Sequence, residues 1–219
     1  EAGNRVLAGF RESLSEYAFK ALSKLGVEIR LGNPVTECNQ DGVKIAGVFV
    51  PAKTIIWAAG VSASPVAEWL GAAADGAGRI KVEPDLTVPG HPDIFVIGDT
   101  ASVVMPNGKP VPGVAPAAKQ EGQYVGNLIR ARLAGRAVPQ PFRYKDAGSL
   151  ATIGKRAAVV DFGWVKLTGR FAWWLWGLAH IYFLIGMRHR LAVALNWLWI
   201  YFTGQRSARL ITQGQDTSA

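Results

Sequence analysis

The apolar run Ile94-Phe95-Val96-Ile97, closed by Gly98 and Asp99, constrains this chain more than any other feature. Asp93 to Ile97 is expected to lead from a turn into a buried core strand. Such a strand puts Asp99 at the C-terminal edge of its sheet, where open α/β sheets bind ligands. A carboxylate there can accept hydrogen bonds from the hydroxyls of a sugar or ribityl chain, and Gly98 lets a ligand approach the backbone. A Gly-Asp pair alone more often caps a turn, so its neighbours must decide between the two.

Two neighbours bear on it. TIIWAAG (54–60) is expected to be a second buried strand whose small end would admit a pyrophosphate or a flat ring. GVAPAAKQEGQYVG (113–126) opens a helix expected over 116–134, with Pro116 in its first turn and Gly135 just past its end. Ala118, Gly122 and Gly126 form a small-residue stripe on that helix. Its positive end can face an anionic atom, with Lys119 and Gln120 in reach of a polar substrate. Each motif also has a plain structural reading: a tight turn for the first, a solvated surface helix for the second.

The remaining elements are one further helix and a series of strands. Residues 13–26 show helical spacing of Leu14, Tyr17, Ala18, Ala21, Leu22 and Leu25. Ser13 and Glu16 match a capping box, and Gly26 matches a left-handed stop. Residues 27–31 are expected to be a strand, as are 35–38, 43–45 and 48–50, with a hairpin turn at Asn39–Gly42. RIKVEP supplies one more strand after the Gly/Ala linker 71–78. Extended runs at 149–153 and 157–167 precede the C-terminal segment.

Hydrophobic residues make up 49% of the 219 and charged residues 18%, which allows a sizeable core. The single cysteine, Cys38, excludes an internal disulfide and any CxxC zinc or dithiol site, so no metal is expected. It reads as a half-buried strand thiol. The formal charge of +8 fits either nucleic acid or an anionic membrane surface. Five of the eight tryptophans (Trp173, Trp174, Trp176, Trp197, Trp199) fall in one window bracketed by Arg170, Arg188, Arg190, Arg206 and Arg209. Aromatics packed into long apolar runs suit a lipid interface rather than a nucleic acid. The run 171–187 is at the short edge of what spans a bilayer, and 191–203, joined to it by MRHR, is too short. Two helices lying in the interface are therefore expected, with a tilted hairpin through the membrane or a core or dimer helix pair as alternatives. His180 is then an interfacial histidine. The opening EAGNRVL resembles a strand exit, no secretory leader is visible, and the chain is expected to be the C-terminal part of a longer protein.

EAGNRVL (1–7), TIIWAAGV (54–61), VEPDLTVPGHPDIFVIGDTA (82–101), VAPAAKQEGQYV (114–125), GSLATIGKRAAVVDFG (148–163) and the tail HIYFLIGMRHRLAVALNWLWIYFT occur in this order. In that arrangement the chain resembles the C-terminal half of a type II NADH:quinone oxidoreductase, in the two-dinucleotide-binding-domain flavoprotein superfamily. The resemblance implies an α/β fold of incomplete FAD- and NAD(P)-binding Rossmann-like domains with a membrane-associated helical segment. It divides the chain into the end of an NADH-binding domain (1–70), the end of an FAD-binding domain (71–140), a short β region (141–167), membrane-associating helices (168–205) and a tail (206–219).

It also implies roles. Gly98 and Asp99 would hold FAD together with Ala58, Ala59, Gly60, Ala117 and Ala118, and Glu1 would hold the adenosine ribose of NADH. Ala117 and Gln120 would line the quinone side. The implied reaction passes electrons from NADH through FAD to a membrane quinone without proton pumping, at the cytoplasmic face of a bacterial inner membrane. No catalytic residue is assigned within this chain. Pro116 stands where the family often has Gln, and both glycine-rich loops would lie before Glu1, so the chain is expected to be inactive alone. The implied partners are the lipid surface and quinone, not nucleic acid, with a second copy of the chain left open. Two alternatives remain: a sulfide:quinone reductase-like flavoprotein, whose chemistry needs cysteines at the flavin, and a membrane-binding module without catalysis.

Overall fold

A computed structural model describes residues 1–60 and 62–204. Val61, Arg206, Arg209 and the expected tail 206–219 lie outside the described residues. The chain is α/β and groups into two units, Glu1–Pro34 with Gly148–Ala219, and Val35–Ala147. The expected divisions at residues 70 and 140 both fall inside the second unit.

In the first unit, helix α1 (Glu12–Lys24) buries Leu14, Ser15 and Ala18. It packs on an antiparallel sheet of β8 (Ser149–Gly154), β9 (Ala157–Asp161) and β10 (Lys166–Thr168), ordered β10-β9-β8. Ala158, Val159 and Val160 on β9 are fully buried, so this strand carries apolar residues to both faces. The expected capping box does not form. The helix starts at Glu12 from Arg11, which gives no side-chain cap. Arg11 instead pairs with Asp161 at 3.3 Å and donates to the Gly163 carbonyl. Ser13 Oγ receives the Lys166 ammonium at 3.3 Å. Gly26 does adopt the left-handed conformation, with φ +83°.

Residues 27–31 are not a strand. Two backbone bonds tie this stretch to the start of the chain, from the Glu1 amino group to the Arg30 carbonyl and from Gly32 N to the Gly3 carbonyl, too few for a ladder. Beyond β10, helix α4 (Gly169–Phe183) buries Ala172 and Gly177, and helix α5 (Met187–Thr203) buries nothing. MRHR is not the joint between them. It forms the first turn of α5, because Gly186, at φ +83°, reverses the chain just before it. Among the described residues, no helix is long and apolar enough to cross a membrane.

In the second unit, β1 (Val35–Asn39), β2 (Gly42–Ile45) and β3 (Val48–Pro51) form an antiparallel meander, with Asn39 opposite Gly42 across the expected turn. Cys38 on β1 is exposed rather than half-buried, because β1 is an edge strand with little packed on it. The core of the unit lies elsewhere. It gathers Ala67 of helix α2 (Val66–Leu70), Ile80 of β4 (Ile80–Lys81), Leu86, Val88 of β5 (Thr87–Val88), Val96, Val103 and the inner face of helix α3 (Ala115–Leu133). Strand β6 (His91–Phe95) pairs with β5, and β7 (Ala101–Ser102) runs parallel to β4.

The largest departure is residues 54–60, expected as a buried strand. They form none, and Ile56 and Trp57 are 79% and 65% exposed. A strand needs a hydrogen-bonded neighbour, and no described strand pairs with this segment.

Candidate functional site

The opening motif forms the centre of the second unit's cleft. Its strand ends at Phe95, earlier than the sequence suggests, with Val96 buried and Ile97 partly exposed. The reason is Gly98, whose φ of +69° turns the chain into one 3-10 turn, Gly98–Thr100. That conformation is comfortable only without a Cβ. The same turn packs on α3. A Cβ on Gly98 would meet the Ala118 methyl at 3.5 Å, and one on Gly122 would meet Ile97 Cδ1 at 3.7 Å. The small-residue stripe therefore does what its composition suggests, admitting a neighbouring backbone at close range.

One residue that the motif reading passed over holds the arrangement together. Glu121 is 3% exposed, and its carboxylate accepts a 2.5 Å hydrogen bond from Gly98 N. Burial pushes its pKa above the ordinary carboxylate value. The Gly98 bond pulls the other way, and the nearby Asp99 charge adds to the rise. A signal was present in the sequence: Ala117, Glu121, Val125 and Leu128 share one helical face, so a charged residue sits in an otherwise apolar stripe.

The cleft is lined by Gly98, Asp99, Gly113, Ala117, Ala118 and Glu121, with Arg79 at its edge. Asp99 itself is exposed, with Gly113 facing its Oδ1. Arg79 does not neutralise it. Its guanidinium is committed to Asp75 at 2.7 Å, and that bond lowers the Asp75 pKa to about 2. The cleft therefore offers an open carboxylate beside a bare glycine backbone, at the first turns of a helix whose facing residues are alanines.

Of the residues singled out from sequence, Gly98, Asp99, Ala117 and Ala118 come together here. Ala58, Ala59 and Gly60 lie on the exposed 54–60 segment and line no part of this cleft. Gln120 is on the same helix, but its amide is engaged at both ends. It donates to the Lys145 carbonyl at 2.9 Å and accepts from Lys145 N at 3.0 Å, pinning the strand-like segment after Phe142. Glu1, in the other unit, is exposed and accepts from Gly3 N at 2.9 Å. Cys38 contributes nothing to the cleft. Among the described residues no group of His, Cys, Asp and Glu could hold a metal ion.

Residues 1–122 match the family described as pyridine nucleotide-disulphide oxidoreductase, and residues 147–206 match the NDH2 C-terminal domain. The type II NADH:quinone oxidoreductase Ndh of Mycobacterium tuberculosis (strain ATCC 25618 / H37Rv) is 38% identical, with 98% of this chain and 48% of that protein aligned. The mitochondrial internal alternative NAD(P)H-ubiquinone oxidoreductase A1 of Arabidopsis thaliana is 32% identical over 94% of this chain and 44% of its own length. The chain thus spans about half the length of the curated relatives it matches. In fold, NDH2 from Plasmodium falciparum in complex with NADH superposes with a TM-score of 0.84 at 19% identity, covering 95% of this chain and 58% of that one. Reduced Bacillus anthracis CoADR-RHD gives 0.60 at 20% identity, over 74% and 29%. With more than half its length matched to one family and a Gly-Asp cleft suited to a hydroxylated ligand, the chain belongs to the pyridine nucleotide-disulphide oxidoreductase family and is similar along nearly its whole length to type II NADH:quinone oxidoreductases.

Proposed function

We propose that this chain is the C-terminal half of a flavoenzyme that passes electrons from NADH through FAD to a membrane quinone without pumping protons. The observation that carries the reading is the Gly98–Asp99 turn, held on α3 by Glu121 with Asp99 left open. A ribityl chain presents hydroxyl donors, and an unpaired, exposed carboxylate is the acceptor such donors need. Gly98 supplies a backbone that a flat, bulky ligand can approach. The residues present therefore fit FAD: Asp99 would take its hydroxyls, with Gly98, Ala117 and Ala118 as close apolar and backbone contacts. When bound, FAD supplies the ring that accepts the hydride of NADH.

The chain's own residues then have separable tasks. Glu121 fixes the turn from below, and the α3 dipole favours negative charge at its N-terminal end. Gln120 braces the 142–145 segment at the quinone side, next to Ala117. Ala58, Ala59 and Gly60 would come near the nicotinamide and flavin, and Glu1 would accept from the adenosine ribose of NADH. Residues 1–70 and 71–140 then close an NADH-binding and an FAD-binding domain. The sulfide:quinone alternative is disfavoured, because Cys38 lies on β1, away from the cleft.

The helices α4 and α5 are assigned to the lipid interface at the cytoplasmic face. Residues 162–204 contain no Asp or Glu, but they include Lys166, Arg170, Arg188 and Arg190. Two of these arginines sit in the first turn of α5, the positive end of its dipole, where cations are unfavourable unless an anionic surface faces them. A second copy of the chain would bring the same positive charges together across an isologous contact, so lipid is the better partner. The test uses the full-length protein. It should purify yellow, bleach on adding NADH and regain colour with a soluble quinone, and a colourless preparation would sink the reading.

A further inference from the structure

Helices α4 and α5 pack through aromatic rings and leave a groove between them. Trp176 stacks on Trp197 with ring centroids 5.4 Å apart and planes 7° apart, and Tyr201 lies against Trp173 and Trp174 at 5.5 and 5.0 Å. The groove is walled by Trp173, Trp176, Trp197 and Tyr201 and opens beside Lys155. Lys155 and Arg156 form the two-residue turn between β8 and β9, with Gly154 opposite Ala157.

Arg156 occupies that turn at φ +99°, a conformation that suits glycine or asparagine and that a long side chain adopts only under strain. Its guanidinium sits 5.1 Å above the Tyr201 ring. Arg170 donates to the Tyr201 hydroxyl at 3.1 Å. Lys155, Arg156 and Arg170 are all exposed, and among the described residues no carboxylate pairs with any of them. Lys155 therefore lines one end of an aromatic-walled groove, Arg156 and Arg170 meet it through Tyr201, and among the described residues none of the three has a carboxylate partner.

That combination selects a ligand with an anionic head and a long apolar tail. A neutral quinone gains little from three cations. A nucleic acid needs free ring faces for its bases, and here the rings pack on one another. We propose that the α4–α5 groove with the Lys155–Arg156 turn is a binding site for one anionic phospholipid, its phosphate on Arg156 and Arg170 and an acyl chain along Trp176 and Trp197. The site rests on the reading of these helices as lipid-facing and narrows it from a surface to a single bound molecule. Strain at Arg156 has a purpose in this arrangement, because glycine there would relax the backbone and remove the cation over the Tyr201 ring.

The test is native mass spectrometry of the detergent-solubilised full-length protein titrated with phosphatidylglycerol or phosphatidylcholine. One phosphatidylglycerol should be retained per chain, and no phosphatidylcholine. Arg156→Gly combined with Arg170→Gln should weaken retention about 10-fold or more, from roughly a factor of several per cation. Arg188→Gln with Lys166→Gln removes the same charge outside the groove and should weaken it by no more than about 3-fold, as expected for a diffuse field alone. Equal losses in the two double variants overturn the site in favour of such a field. Equal retention of both lipids overturns it, as does displacement by inorganic phosphate or a short-chain quinone. Thermal unfolding confirms that the Arg156→Gly pair is folded. NADH-driven reduction of a soluble quinone is measured on the same samples. Its absence with lipid still bound removes the electron-transfer reading alone, and its presence with no lipid bound removes the lipid site alone.

Discussion

Gly98 and Arg156 both sit at positive φ, and the two regions around them use that conformation in opposite ways. At the cleft the chain turns sharply where a side chain would only obstruct, and the position is filled by the residue with none. At the β8–β9 turn the chain is equally bent, but the position carries one of the longest side chains, laid over Tyr201. The cleft buries its critical charge, Glu121, and uses it to hold a backbone amide. The groove leaves its charges exposed and, among the described residues, without acidic partners. The first is a rigid frame for a ligand that must be oriented, and the second is a surface for a ligand that must be attracted.

Breaking the frame should have the largest effect. Glu121→Ala leaves the half-buried Gly98 N without its acceptor and removes core volume, so chemical denaturation of the full-length protein should show a loss of about 3 kcal/mol. The pH dependence sharpens this. The folded-state pKa of Glu121 is raised, so the native state holds its proton more tightly than the unfolded chain. Its contribution is fully present below the ordinary value of 4.5 and is lost as pH rises through the raised one. Wild type should therefore lose stability relative to Glu121→Gln with rising pH, and a constant gap across that range would show that burial does not perturb this carboxyl.

In the groove, Trp197→Ala removes the stack on Trp176 and the contact over Gly177. A half-buried tryptophan in such a pair should cost roughly 2 kcal/mol, read from denaturant unfolding and the near-ultraviolet dichroism of the tryptophans. Asp99→Ala should leave the fold intact while weakening FAD retention about 10-fold, measured as 450-nm absorbance surviving gel filtration. If flavin content is unchanged, Asp99 is not its acceptor.

The two positive-φ sites supply the finest contrast. Gly98→Ala should destabilise by about 1 kcal/mol from the left-handed backbone, since the added methyl meets Ala118 only at ordinary contact distance. Arg156→Gly should change stability in the other direction, raising it by somewhat under about 1 kcal/mol as the strained turn relaxes. Thermal shifts of the same sign in both variants would remove the distinction between a position that needs no side chain and one that keeps its side chain against strain.

Much of the frame was legible in the sequence because it depends on neighbours along the chain. Pro116 and Gly135 bracket α3 by their own backbone restrictions, and Gly98 marks the turn by lacking a Cβ. The apolar runs mark α4 and α5 as helices but not their joint, which Gly186 sets before MRHR. Where a side chain or strand needed a distant partner, local pattern misled. Residues 54–60 have the composition of a core strand, yet without an adjacent strand they lie exposed. Ser13 and Glu16 have capping-box spacing, yet Arg11 begins the helix and is drawn to Asp161.

Sequence by itself determined which residues can turn, which can span a helix and which carry a charge the site could use, because these are properties of each residue and its near neighbours. Tertiary structure alone decided that Glu121 lies beneath Gly98, that Gln120 is engaged by Lys145, and that Arg156 rests on Tyr201. These pairs are separated by 23, 25 and 45 positions. Periodicity within a helix shows which residues share a face, but only the packed chain shows what that face meets.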